Sequence, residues 1–143
     1  MIGRSNSFGF RAAPRLGTGE ILLQPRSPDA EILIGDRNMT SNNLSILANR
    51  RITIGNDCLI GDLVVISDCD FHEISPANRN RGAGPTAAVS IGNNVWLGSR
   101  VMVLKGVIIG DNSVVAAMSV VTKSIPADSL AAGVPARVIR SIE

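Results

Sequence analysis

Ile91-Gly-Asn-Asn-Val-Trp96, Leu97-Gly-Ser-Arg-Val-Met102, Val103-Leu-Lys-Gly-Val-Ile108 and Ile109-Gly-Asp-Asn-Ser-Val114 are consecutive six-residue units built to one pattern. A fifth, Val115-Ala-Ala-Met-Ser-Val120, follows, and Val121 opens the next. Position one is aliphatic, position two is often Gly, and position five is small. The i, i+3, i+4 spacing of an amphipathic helix is missing. Such a unit reads as a short strand with position one facing inward, then a tight bend, for which Gly and Asn supply backbone freedom. A fixed short period is the mark of a solenoid. Three units close a triangular coil of eighteen residues, and stacked coils make an all-β parallel β-helix of about five coils. Residues eighteen apart then lie one strand spacing apart, about 4.8 Å, so Ile91 stacks on Ile109, Leu97 on Val115 and Val103 on Val121.

Upstream, Ile54, Ile60 and Ile66 keep the beat, and the next one falls on His72, the only histidine. Ile91, where the beat resumes, lies nineteen positions after His72. The segment 73–90, polar and rich in Gly and Pro, therefore reads as an extruded loop, and loops of that length are usually functional or disordered. Ile34 to Ile54 spans twenty residues, one coil plus a two-residue bulge at Asn49 and Arg50. A degenerate coil is expected over about 16–33. The first fifteen residues have no assignable place, and the tail 127–143 is expected to pack back along the last coil. The whole chain, 1–143, reads as one domain.

Composition narrows the class. Hydrophobic residues make up 45% but aromatics only 3%, with no Tyr, so the core must be thin aliphatic layers. The net charge of +2 does not indicate a nucleic-acid binder. Cys58 and Cys69 form neither a disulfide framework nor a zinc-binding CxxC pair, and read as small apolar fillers. No secretory leader and no span of ~18 apolar residues is present. A cytoplasmic protein that neither inserts in a membrane nor binds nucleic acid is expected.

Several segments are more specific than the repeat: Asn94-Val-Trp-Leu-Gly98, Ser119-Val-Val-Thr-Lys123 with Ile125-Pro126, and Ala132-Gly-Val-Pro-Ala-Arg-Val-Ile-Arg140. Over about Ile34–Ile142 the chain resembles the hexapeptide-repeat, left-handed β-helix acyltransferases. It is most similar to the galactoside and maltose O-acetyltransferases and to the O-acetyltransferases of surface polysaccharides, which carry a segment like Ser67-Asp-Cys-Asp-Phe-His72. The resemblance implies the left-handed coil, a homotrimer with active sites between subunits, and acetyl-CoA as donor without a metal.

It also implies roles for residues. His72 would be the general base, a task suited to an imidazole that titrates near neutrality. Asp70, or less so Asp68, would orient the ring or compensate the imidazolium. Ser99 and Ala117, eighteen apart, would line the groove for the pantetheine arm. Thr122 and Lys123 would meet coenzyme A, and Arg137 and Arg140 its phosphates. Asn43 and Asn49 align loosely with sugar-contacting positions, the second being usually Asp in the family. Three further readings come from the residues themselves. Trp96, at an outward position six, marks a contact surface for the coenzyme arm, the acceptor or a neighbouring subunit. Lys105 and Lys123 stack one coil apart and call for an anion. Arg79 and Arg81 on the loop are placed to hold the carboxylate of an acidic sugar.

The function so implied is acetyl-CoA-dependent O-acetylation of a sugar hydroxyl, on a surface polysaccharide or its precursor, by direct transfer. N-acetylation of an amino sugar and acetylation of an antibiotic are the enzymatic alternatives. One histidine is too few for the three-histidine zinc site of a γ-class carbonic anhydrase. A sugar-nucleotide transferase needs a nucleotide-binding domain for which 143 residues leave no room. A purely structural β-helix would have no reason to combine His72 with Lys123, Arg137 and Arg140.

Overall fold

Each position-one residue sits in a two- to four-residue strand and points inward. The structure, a computed structural model, describes residues 1–9 and 18–142. Its strands form three parallel stacks, the faces of a triangular prism. The first face orders Ile108–Ile109 (β12), Val89–Ile91 (β9), Arg51–Ile54 (β6) and Glu31–Ile34 (β3). The second orders Ser7–Phe8 (β1), Met39–Thr40 (β4), Leu59–Ile60 (β7), Trp96–Leu97 (β10), Val114–Val115 (β13), Ser129–Gly133 (β15) and Ala136–Ser141 (β16). The third orders Val120–Val121 (β14), Met102–Val103 (β11), Val65–Ser67 (β8), Ser45–Ala48 (β5) and Leu22–Pro25 (β2).

The registers match the eighteen-residue spacing: Ile91 pairs with Ile109, Leu97 with Val115 and Val103 with Val121. Ile34 pairs with Ile54 across the twenty-residue coil. The inward row Ile54, Ile60, Ile66, Ile91, Leu97, Val103, Ile109, Val115 and Val121 is fully buried. Each such side chain contributes about 1.5–3 kcal/mol of apolar burial. Cys58 sits in this core, and burial pushes its thiol up from the usual range, which fits a filler.

The coils number about six, one more than the sequence suggests, because both ends add partial turns. Ile2 bridges Ile34 and β1 pairs with β4, so residues 1–9 begin the first coil. Of the expected early coil, β2 and β3 are present, while 16–17 lie outside the described residues. At the other end β15 pairs in parallel with β13, and β16 folds back antiparallel on β15.

The bends work differently from the sequence expectation. Position-two glycines answer crowding rather than left-handed backbone. A Cβ on Gly98 would lie 2.6 Å from the Ala117 nitrogen, and one on Gly92 2.8 Å from that of Asp111. The left-handed residue is position four, occupied by Asp57, Asn94 and Asn112 at one edge and by Asn43, Leu63, Arg100 and Met118 at another. Among the described residues no helix is long and apolar enough to cross a membrane.

Candidate active site

The third face ends at Ser67, and the chain leaves the prism at the edge between the third and first faces. Cys69 and Thr86 form an antiparallel bridge that closes the neck of the excursion. The loop is therefore shorter than the sequence reading of 73–90, since Val89 and Ser90 already belong to β9. His72 lies just beyond this neck rather than at a coil start. Its backbone is packed so closely that a Cβ on Gly84 would come 2.2 Å from the His72 carbonyl oxygen.

The His72 ring is exposed, and its Nδ1 lies 3.2 Å from the Arg79 carbonyl oxygen. A carbonyl can only accept, so Nδ1 carries the proton in this bond. In the neutral ring Nε2 then has a free lone pair, the state a general base needs.

The two aspartates have other partners than the ring. Asp68 is fully buried, and its carboxylate accepts the backbone N–H groups of Asn49, Arg50 and Arg51 at 2.7 Å each. It thereby caps the bulged corner of the coil below. Asp70 pairs with Lys105, Nζ to Oδ1 2.7 Å. Among the described residues the structure does not hydrogen-bond Asp70 to His72. The anion that Lys105 calls for is this carboxylate, an assignment the spacing of lysines alone did not reveal. Cys69 is buried, with its Sγ 2.9 Å from the Ala83 oxygen.

A second feature lies on the second face and at its edge with the third. Trp96 is 52% exposed and stands in an outward row with Leu59 and Val114. Beside it opens a cleft of ≈ 450 Å³, lined by Gly98, Ser99, Ala116, Ala117 and Leu130. A smaller cleft of ≈ 160 Å³ lies on the other side of Trp96, against Met39, Thr40 and Leu59. Ser99 and Ala117 do stack, with the Met118 N–H donating to the Ser99 carbonyl at 2.9 Å. The Ser99 hydroxyl is bonded to the buried Asp62 carboxylate, so its backbone and Ala117 face the cleft with little side-chain polarity.

The remaining sequence candidates divide between edges. Thr122 and Lys123 follow β14, at the same third–first edge as His72 and Lys105. Asn43 lies at the second–third edge and accepts the Gly19 N–H. Asn49 lies at the neck of the loop, where its amide donates to Thr86 Oγ1 at 3.3 Å. Arg81 is exposed on the loop. Arg137 and Arg140 are exposed on β16. A six-residue face spans up to about 20 Å at ~3.3 Å per residue. Within one chain, then, Thr122, Lys123 and the neck of the His72 loop are one whole face away from the cleft at Ser99 and Ala117. Among the described residues no group of three or more His, Cys, Asp or Glu could hold a metal ion.

Residues 88–123 match the family described as bacterial transferase hexapeptide (six repeats). The chain belongs to this hexapeptide-repeat family. It is 47% identical to galactoside O-acetyltransferase of Escherichia coli over 107 residues, 74% of this chain and 52% of that protein. Its fold is similar to the hexapeptide-repeat acetyltransferase VCA0836 of Vibrio cholerae in complex with acetyl coenzyme A. There the TM-score is 0.74 at 37% identity, covering 78% of this chain and 61% of that one. It is also similar to the polySia specific acetyltransferase NeuO, with a TM-score of 0.70 at 32% identity over 77% of this chain and 51% of that chain. This hexapeptide-repeat chain thus spans about half the length of the curated relatives it matches.

Proposed function

We propose that the chain catalyses acetyl transfer from acetyl-CoA to a sugar hydroxyl, with His72 as general base. The observation that carries this reading is the bond between His72 Nδ1 and the Arg79 carbonyl, which keeps Nε2 available as acceptor. The acceptor hydroxyl gives its proton to Nε2 as its oxygen attacks the thioester carbonyl carbon. The C–S bond then breaks, and the proton passes to the departing thiolate. Direct transfer is supported by Cys69, whose buried and hydrogen-bonded sulfur is no free nucleophile beside His72. The relatives supply the donor and reaction class, acetyl coenzyme A in one neighbour and O-acetylation in the named enzyme. Their acceptors differ, a galactoside in one and polySia in another.

The reading requires His72 and the cleft to meet. A three-fold assembly that sets the second–third edge of one subunit against the third–first edge of the next would bring them together. Trp96, Ser99 and Ala117 of one chain would then stand opposite His72, Thr122 and Lys123 of its neighbour. The pantetheine arm would lie along the small-residue cleft, and Lys123, Arg137 and Arg140 would hold the phosphates.

Free-thiol release from acetyl-CoA, measured with a panel of hydroxyl-bearing sugars, tests the activity. Release above hydrolysis with at least one sugar is expected. No release with any, together with no thermal stabilisation by coenzyme A, would overturn the reading. The shared site has its own test. His72→Ala and Ala117→Phe chains should each be inactive alone, and co-assembled they should recover part of the activity, because mixed interfaces rebuild an intact site. No recovery in verified mixed assemblies would refute sites between subunits.

A further inference from the structure

Among the described residues Arg26, stacked on Phe71, and Arg79, whose carbonyl bonds the His72 ring, form no ion pair, and that excess charge points to a class of acceptor. Arg26 follows β2 at the third–first edge, its N–H donating to the Ala48 carbonyl at 2.7 Å. Its guanidinium carbon lies 4.6 Å from the centroid of the Phe71 ring. Phe71 immediately precedes His72 and holds a left-handed backbone, φ 62°. Arg79 bonds the His72 ring through its carbonyl, while its own Nη2 donates to the Ile74 carbonyl at 3.1 Å. The base therefore directly follows the residue whose ring carries the Arg26 guanidinium, and its own ring bonds the backbone of a second arginine, Arg79.

The ion pairs among the described residues use Arg37, Arg51 and Lys105, and neither Arg26 nor Arg79. Asp68 is occupied by three amides, Asp70 by Lys105 and Glu31 by Arg51. Asp29 and Glu73 are the carboxylates left on this edge and loop, against Arg26, Arg50, Arg79 and Arg81. A guanidinium stacked on a ring keeps its N–H edge free for in-plane bonds, the geometry that grips a carboxylate or phosphate. The arrangement therefore suits a charged acceptor better than a neutral one.

We propose that the acceptor saccharide carries an anionic group, carboxylate or phosphate, held beside His72 by Arg26 and Arg79. This rests on the acetyltransferase reading above. Three acceptors sharing one ring test it: a neutral hexoside, its uronate and its phosphate. The expected kcat/KM is about tenfold or more higher for a charged member, a preference worth about 1.4 kcal/mol, and it should shrink as salt is added. Whichever charged member wins identifies the anion. Arg26→Gln and Arg79→Gln should each lower the charged-to-neutral ratio, whereas a merely structural effect lowers both rates and leaves the ratio alone.

Equal or better use of the neutral hexoside would overturn the inference. So would a rise in the acetyl-CoA KM of the variants with an unchanged ratio, which would assign the arginines to the donor. Should no sugar release thiol and coenzyme A give no thermal stabilisation, the acetyltransferase reading fails; without thiol release in either case, calorimetric binding of the uronate and the phosphate decides the anion site alone. Binding by wild type and its loss in the double arginine variant support the site, and absence of binding refutes it.

Discussion

Replacing His72 with Ala is expected to lower kcat for acetyl transfer by about 10²–10⁴-fold, the usual worth of a positioned general base. The ring is exposed and held by one carbonyl, so little packing is lost with it. Its removal should leave the melting temperature and coenzyme A affinity near wild type, since the groups proposed to hold the coenzyme are Ser99, Ala117, Lys123, Arg137 and Arg140 rather than the ring. Steady-state thiol release and thermal shift with coenzyme A separate the two effects. A variant that keeps more than about a tenth of the rate would mean that proton removal is done elsewhere. Asp70→Ala offers the contrast. An aspartate bonded to Lys105 rather than to His72 should cost far less than the base itself.

The largest loss of stability is expected from Asp68→Ala. The change leaves three N–H groups, of Asn49, Arg50 and Arg51, without their acceptor. Each unsatisfied donor costs up to about 1–3 kcal/mol when buried, and water reaching this part-buried corner recovers some of that. A loss of about 3 kcal/mol or more is the expected net effect, read from the urea midpoint at fixed subunit concentration so that assembly does not shift it. Asp68→Asn keeps one acceptor oxygen and should fall between. Breaking the exposed Lys105–Asp70 pair should cost only about 0.2–1 kcal/mol. Equal losses from Asp68→Ala and Asp70→Ala would show that the corner does not depend on Asp68.

The prism was legible in the sequence because its cause is periodic. One inward aliphatic per six residues, as at Ile91, Leu97 and Val103, leaves no other way to bury the row. The bends were less legible. Leu63, Arg100 and Met118 adopt left-handed backbone against their own preference, because the closure of the coil imposes it. The glycines that looked like turn residues are instead the places where the next coil passes too close for a Cβ. Asp68 was underrated for a related reason. Its partners lie on the preceding coil, seventeen to nineteen residues back, and only the register brings them under it.

The site was half legible. His72 stood out as the single break in the rhythm. The arithmetic that stacks Ser99 on Ala117 also sets Lys105, six residues on, at the next edge, so one unbroken track along one edge was never available. Arg26, nearly fifty residues before His72, carried no sequence signal of its contact with Phe71. That contact depends on the folded edge.

The central claim is tested most directly by identifying the product. Incubated with acetyl-CoA and an acceptor that supports thiol release, the wild-type protein should give a singly acetylated sugar by mass spectrometry. The acetyl group should be an ester, removed by mild alkali, and the His72→Ala protein should form almost none. An alkali-stable amide product, or the same yield from His72→Ala as from wild type, would contradict O-acetyl transfer with His72 as the base.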